Sequence, residues 1–110
     1  MNIRKKKIKD SRAVKITVMD NGEEIGRVRL YVLFNELHEE PFGFMEDLFV
    51  SEKSRGKGVG EKLVTEAVAE AKKNNCYKFI FTCSHPELFG WYEKLGFEKR
   101  SAGFRMDFKK

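Results

Sequence analysis

The stretch at residues 50–64 reads Val-Ser-Glu-Lys-Ser-Arg-Gly-Lys-Gly-Val-Gly-Glu-Lys-Leu-Val and carries three closely spaced glycines. An apolar run at residues 42–50 precedes it, and apolar residues at helical spacing follow it to position 71. This pattern predicts a strand, a glycine loop and a helix. Backbone amides at a helix start have no intrahelical acceptor and lie at the positive end of the helix dipole. The loop is therefore a candidate site for phosphate, which glycines allow close to the backbone.

The glycine spacing excludes two common phosphate loops. A Walker loop needs Gly-Lys-Ser/Thr after four intervening residues, whereas Gly60 is followed by Glu61 and Lys62, with no hydroxyl residue in the required place. The dinucleotide fingerprint needs Gly-x-Gly-x-x-Gly, whereas these glycines run Gly-x-Gly-x-Gly.

The segment Arg55-Gly56-Lys57-Gly58-Val59-Gly60 instead resembles the Arg/Gln-x-x-Gly-x-Gly/Ala pyrophosphate loop of the GNAT acyltransferase superfamily. Downstream, Trp91-Tyr92-Glu93-Lys94-Leu95-Gly96-Phe97 is similar to that family's second signature, Tyr-Glu-Lys-x-Gly-Phe. Two signatures in the family's order are more specific than either alone. The alternative interpretation is a glycine-rich surface turn followed by an unrelated aromatic helix.

Length and composition indicate one soluble domain spanning residues 1–110. The apolar runs are too short to cross a membrane, and no apolar segment follows the basic start, so we expect a cytoplasmic protein. Cys76 and Cys83 are predicted to be reduced thiols.

The net charge of +5 is compatible with binding of an anionic ligand, nucleic acid or an acidic membrane, and equally with a charged surface that faces only solvent. Without a nucleic-acid motif, nucleic acid is the disfavoured partner.

The predicted fold is α/β (α+β), with antiparallel N-terminal strands, a parallel middle pair, two main helices and a C-terminal hairpin in a mixed sheet. The predicted strands, in chain order, lie at residues 14–18, 25–34, 42–50, 78–83, 97–100 and 104–108, with residues 3–9 as an edge strand or a loose tail. Asp20-Asn21-Gly22 predicts a hairpin turn that tolerates positive φ between the first two of these strands. The predicted helices follow the glycine loop to about residue 75 and run from Ser84-His85-Pro86 to Gly96, its left-handed cap.

The resemblance covers about residues 10–110 and implies a GNAT core in a short form. The family usually places one or two helices between its first two strands, and residues 9–13 cannot hold them. Those helices commonly wall the acceptor site. The choice of acceptor therefore stays open.

Acyl transfer to an amine needs a binding site for the cofactor, a neutral amine, a hydrogen-bond donor to the oxyanion and a proton for the leaving thiolate. The loop amides at residues 56–60 supply the binding site for acetyl-CoA, with Arg55 and Lys57 adding charge. The resemblance implies that Leu48 and Val50 pair with the pantetheine arm. It also implies an amide near Phe49 facing the carbonyl oxygen, in strands that splay apart after Leu48.

Tyr92 is the predicted general acid, because a phenol with a pKa near 10 is matched to a departing thiolate. The alternative is a core aromatic packed with Phe89 and Phe97. Glu46 is the predicted base, on a strand face shared with Phe44, Leu48 and Val50 and opposite to Asp47. The alternative is a carboxylate paired with Arg27 or Arg29.

His85 occupies the place where many family members carry an Asn that bonds the cofactor arm, and Ser84 is a substitute donor. A catalytic Cys83–His85 pair is a further alternative, although no third orienting residue is evident. We predict no metal site.

The function that the resemblance implies is N-acetyl transfer from acetyl-CoA to a primary amine by direct attack. A non-catalytic CoA-binding module is the runner-up, and a basic nucleic-acid-binding domain is the third alternative. Small amines, polyamines, amino acids and protein lysines all stay open as acceptors, with nearby carboxylates favouring a cation. The oligomeric state also stays open, with a homodimer among the alternatives.

Overall fold

The computed structural model describes residues 1–8 and 11–109. Alternating apolar and polar residues form two long antiparallel strands, β1 (Arg12–Asp20) and β2 (Glu23–Leu33). The two residues between them, Asn21 and Gly22, both have positive φ, at 50° and 77°. Such a pair matches the twist of a tight hairpin, so the predicted turn is confirmed.

The sheet is completed by β3 (Phe42–Val50), antiparallel to β2, and by β4 (Phe79–Ile80), parallel to β3. The strand order is β1-β2-β3-β4. Helix α1 (Val59–Lys73) connects β3 to β4, as a parallel pair requires. The predicted mixed sheet with a parallel pair is confirmed, although the pair lies at the edge of the described sheet and not in its middle.

The hydrophobic core lies between one face of the sheet and α1. Its fully buried side chains are Val28, Leu30, Val32, Leu63, Val64 and Ala67. The approach of the helix depends on Gly26 in β2, where a Cβ would lie 2.9 Å from Cγ1 of Val59. A side chain at position 26 would push the start of α1 away from the sheet.

Helix α2 (Phe89–Lys94) follows a 3-10 turn at Pro86–Leu88, so the second helix begins later than predicted. Its predicted cap is confirmed, since Gly96 has φ 101° and the Phe97 amide donates to the Tyr92 carbonyl over 3.2 Å. The predicted strand at residues 78–83 is shortened to β4.

The predicted C-terminal hairpin is wrong, because the described residues 97–109 contain no strand. Phe104, Met106 and Phe108 alternate as a strand would but are 98%, 78% and 88% exposed. Alternation makes a strand only where a neighbouring strand accepts its hydrogen bonds, and β4 is two residues long. Residues 1–8 also contain no strand, and position 9 of the predicted edge strand lies outside the described residues.

Candidate active site

A cleft of about 940 Å³ opens where β3 and β4 separate. The parallel ladder pairs Gly43 with Phe79 and Phe44 with Ile80, and ends there, although β3 continues to Val50. The family resemblance implies a separation after Leu48, so the strands part earlier than expected. The first turns of α1 and α2 complete the walls of the cleft.

Most of the predicted site residues lie together around this cleft. Those that line it are Glu46, Leu48, Phe49, Val50, Arg55, Gly56, Gly58, Val59, Gly60, His85 and Tyr92. The structure describes all of the predicted site residues, and among them only Lys57 does not line the cleft. Segments forty residues apart in the chain therefore share one concave surface.

The glycine loop has a backbone conformation that glycine adopts more readily than other residues. Gly56 and Gly58 have φ angles of 78° and 81°, in the left-handed region, and Gly58 is the N-cap of α1. No heavy atom lies within 4 Å of the position that a Cβ would take at either glycine. Glycine is thus required by the conformation, and the open space beside the backbone fits an approaching anion.

Arg55 is held against the end of β3. Its Nε donates to the Val50 carbonyl over 3.0 Å, and its guanidinium lies 6.0 Å from the ring centroid of Phe49. A pantetheine arm pairing with Val50, as the resemblance implies, would compete with Arg55 for that carbonyl. The guanidinium also brings a positive charge to the mouth of the glycine loop.

The two carboxylates of β3 lie on one face of the sheet, which corrects the predicted alternation. The Tyr31 hydroxyl donates to Glu46 over 3.3 Å, and Arg27 Nε donates to Asp47 over 2.8 Å. Leu48 and Val50 instead pack into the core with Met45 on the opposite face. A bulge at positions 47–48 breaks the period of two, so Glu46 does not share a face with Leu48.

The predicted carboxylate–arginine pair is formed by Asp47. Both Arg27 and Arg29 contact its carboxylate, and the hydrogen bond from Arg27 holds the pKa of Asp47 below its usual value, although burial opposes the shift. A carboxylate with a lowered pKa is a weaker proton acceptor. Asp47 is therefore poorly suited to the role of general base at neutral pH.

Tyr92 lies between the core and the cleft. Its ring is tilted against Phe81 and edge-on to Trp91 and Phe97, while the residue also lines the cleft. Burial, and secondarily the nearby Cys83, raises the pKa of Tyr92. A phenol that packs in this way keeps its proton at neutral pH and remains able to donate it to a group in the cleft.

The two cysteines are free, as predicted. Burial raises the pKa of the Cys76 thiol, which therefore remains protonated at neutral pH. Cys83 donates to the main-chain carbonyl of His85 over 3.5 Å, whereas the His85 imidazole lies 3.5 Å from Glu87. These contacts do not form the thiol–imidazole pair that cysteine nucleophiles use.

Three further cleft residues were missed by the sequence analysis as site residues. Trp91 lies beside Gly60, where a Cβ would be 3.6 Å from the indole, and so joins the start of α1 to α2. Glu61 and Glu87 bring carboxylates to the same cleft. Trp91 immediately precedes the second signature, and this position is the signal that could have identified it.

Within residues 1–8 and 11–109, no three His, Cys, Asp or Glu side chains are grouped so that they could hold a metal ion. Over the same residues, no helix has the length and apolar character needed to span a bilayer.

Comparison with known proteins gives consistent matches. Glucosamine 6-phosphate N-acetyltransferase of Candida albicans is 41% identical over 79 residues, covering 71% of this chain and 52% of that protein. Glucosamine 6-phosphate N-acetyltransferase 1 of Oryza sativa is 42% identical over 59 residues, covering 54% of this chain and 35% of that protein. This chain therefore spans about a third to a half of the length of these curated relatives.

Solved structures share the fold. The crystal structure of glucosamine-6-phosphate N-acetyltransferase from Arabidopsis thaliana superposes with a TM-score of 0.83 and 27% identity, covering 88% of this chain and 67% of that one. The model of the Acetyltransferase (GNAT) family matches residues 3–97, which include both sequence signatures and the whole sheet. With its divergent parallel strands, left-handed glycine loop and second aromatic signature, this chain belongs to the Acetyltransferase (GNAT) family.

Proposed function

We propose that this protein transfers an acetyl group from acetyl-CoA to a primary amine by direct attack. The observation that carries the proposal is the shared cleft, which has the glycine loop and start of α1 on one side and Tyr92 on another. A phosphate-binding loop and a proton donor are the two parts that thioester aminolysis needs most from the protein. The family membership supports the same reaction.

The grip on the cofactor is assigned to the loop before α1. The amides at the start of this 15-residue helix lack intrahelical acceptors, and the left-handed Gly56 and Gly58 leave open space beside the backbone. Arg55 adds a cation at the loop entrance. When bound, acetyl-CoA supplies a thioester whose carbonyl carbon is the electrophile.

The proton balance assigns a role to Tyr92. As the amine nitrogen bonds to the acetyl carbon, the carbon–sulfur bond breaks and the sulfur needs a proton, which the Tyr92 hydroxyl donates. The raised pKa of Tyr92 keeps this donor protonated throughout the neutral range. The ammonium form of the acceptor first loses one proton to Glu46, directly or through water, and the proton that its nitrogen loses on attack restores the Tyr92 hydroxyl.

The acceptor is proposed to be a cationic amine in its resting state. Glu46, Glu61 and Glu87 line the cleft, and carboxylates favour an ammonium group over a neutral or anionic one. The relatives named for glucosamine 6-phosphate make a small amino sugar phosphate the first acceptor to test. Spermidine and a lysine peptide represent the other open classes.

A non-catalytic CoA-binding module is the second candidate. It is favoured by the N-terminal part of the chain, because the described residues 1–8 and 11–22 contain no helix that would wall an acceptor pocket. In this case acetyl-CoA would bind without any amine being acetylated.

Two measurements test the proposal. Calorimetry with acetyl-CoA measures cofactor binding, and thiol release with the amine panel measures transfer. Binding together with amine-dependent thiol release supports the enzyme, and binding without release for any amine supports the module. Arg55→Gln should weaken acetyl-CoA binding, whereas Arg12→Gln, which removes a cation beside Asn74 at the far end of α1, should not. Absence of acetyl-CoA binding would contradict both candidates.

A further inference from the structure

Asp47 has a backbone conformation that few residues adopt. Its φ angle is 60°, in the left-handed region, inside a strand whose ordinary φ is strongly negative. Arg29 pairs with Glu46 and Arg27 pairs with Phe49, so two residues of β3 stand opposite the single Val28 of β2. This arrangement is a β-bulge whose first residue is left-handed.

The bulge decides which residues of β3 face the core. Met45, before the bulge, and Leu48 and Val50, after it, all pack into the same hydrophobic cluster. Strict alternation from Met45 would place Phe49 in that cluster, yet Phe49 is 41% exposed and lies under the Arg27 guanidinium at 4.7 Å. One left-handed residue therefore determines which side chains of the segment at positions 48–50 face the core and which face away from it.

Two arginines hold the bulge through the Asp47 side chain. Arg27 donates from Nε over 2.8 Å and from Nη2 over 3.4 Å, and Arg29 donates from Nη1. Because Arg27 is registered with Phe49 and Arg29 with Glu46, the carboxylate is held from both sides of the bulge. We call Arg27, Asp47 and Arg29 the bulge clamp.

We propose that Asp47 is a positioning residue, whose left-handed backbone sets the bulge and thereby directs the backbone at positions 48–50 into the acetyl-CoA cleft. This inference rests on the proposed function for its effect on catalysis. Asp is among the few residues other than glycine that tolerate the left-handed region, and its carboxylate adds the clamp. The proposal predicts that backbone conformation at position 47 matters more than negative charge.

Substitutions at position 47 separate conformation from charge. Asp47→Gly removes the carboxylate but adopts a φ of 60° freely, whereas Asp47→Ala removes the carboxylate and disfavours that φ. We expect Asp47→Ala to weaken acetyl-CoA binding by about tenfold and Asp47→Gly by less than about threefold, since the left-handed penalty falls on alanine alone. Asp20→Ala, which removes an exposed carboxylate from β1, is the control and should leave binding unchanged.

The pH profile of amine acetylation distinguishes positioning from base catalysis. If Asp47 is a positioning residue, Asp47→Gly should show the same fall in turnover at low pH as the parent, because the group whose protonation causes that fall is still present. If Asp47→Gly loses this fall at low pH and is as inactive as Asp47→Ala, charge is what matters and the proposal is overturned.

NMR signals of the Leu48, Phe49 and Val50 amides test the backbone role of Asp47 without any ligand. We expect Asp47→Ala to shift all three signals and Asp47→Gly to leave their pattern close to that of the parent. Equal shifts in both variants would overturn the proposal even if the protein acetylates amines. If the parent binds no acetyl-CoA, the proposed function fails, while the NMR comparison still decides whether Asp47 sets the bulge.

Discussion

The ring of Tyr92 lies 4.5 Å from the ring of Phe81, measured between centroids, so α2 is tied to the segment that follows β4. This contact places the phenol at the wall of the cleft while its ring belongs to the core. The packing role and the acid role assigned to Tyr92 are thus compatible, and a substitution that keeps the ring separates them.

Tyr92→Phe should lower turnover by about 10²-fold, the usual contribution of a general acid, with little change in acetyl-CoA affinity. The ring contacts with Phe81 and Trp91 are retained, so unfolding by urea should be nearly unchanged. Tyr77→Phe is the matched control, because its hydroxyl accepts from Asn35 at the opposite end of β3. Equal turnover in parent and Tyr92→Phe, with chemistry rate-limiting, would show that Tyr92 is a core residue alone.

Turnover should fall at alkaline pH because Tyr92 loses its proton there. The pKa of Tyr92 is raised above its usual 10.0 by burial, and the acid acts only when it is protonated. Turnover due to Tyr92 is therefore fully present below pH 10 and is lost as pH rises through the raised pKa. Measured over the alkaline range, this fall should be absent in Tyr92→Phe, and its persistence there would assign it to another group.

Gly58→Ala should weaken acetyl-CoA binding by about tenfold or more, because a Cβ would occupy the space that an anion approaches. The variant should also lose about 1–2 kcal/mol of stability from the left-handed conformation. Gly22→Ala is the control, since Gly22 has nearly the same φ in the hairpin turn. Calorimetry should find weakened binding in Gly58→Ala alone; equal binding in both variants would contradict the loop assignment.

Glu46→Gln should reduce turnover by about tenfold or more, and most strongly at low pH, where free amine is scarcest. Its carboxylate receives one hydrogen bond from Tyr31 and lines the cleft, and the amide keeps that size and acceptor. Glu66→Gln, on the exposed face of α1, controls for the loss of one negative charge. A uniform effect at every pH would indicate an anchor for the ammonium group and contradict a base.

Gly26→Ala should destabilise the fold by about 1–3 kcal/mol, the typical cost of overpacking a core. The added Cβ would lie 2.9 Å from Val59 and 3.0 Å from Leu63. Gly90→Ala in α2 is the control, because its Cβ would meet nothing within 4 Å, and alanine favours a helix. Urea unfolding should separate the two, and equal stabilities would mean that α1 can move off the sheet at little cost.

Local signals in the sequence predicted the elements that the backbone itself specifies. Asn21 and Gly22 marked a hairpin, and Gly96 marked a left-handed helix cap, because each needs a φ that most side chains disfavour. Similarly, the apolar spacing after the glycine loop predicted α1. These local conformations depend on residues close to each other in the chain, so they can be predicted from one sequence.

The positions of the site residues on β3 depended on more than alternation. The period of two placed Glu46 with Leu48, and the bulge at Asp47 reversed that assignment. The Asp47 carboxylate at the bulge is contacted by Arg27 and Arg29, which are twenty and eighteen residues away in the chain. No pattern within β3 specifies such a partner.

The sequence by itself determined the strand–loop–helix order, the hairpin turn and the two family signatures, because these follow from local conformational preference and hydrophobic period. Only the tertiary structure decided where β3 and β4 part, which carboxylate the arginines hold, and that the alternating residues 104–108 form no strand. The physical reason is that strand pairing and ion pairing join residues distant in the chain, so neither is encoded in the residues that alternate.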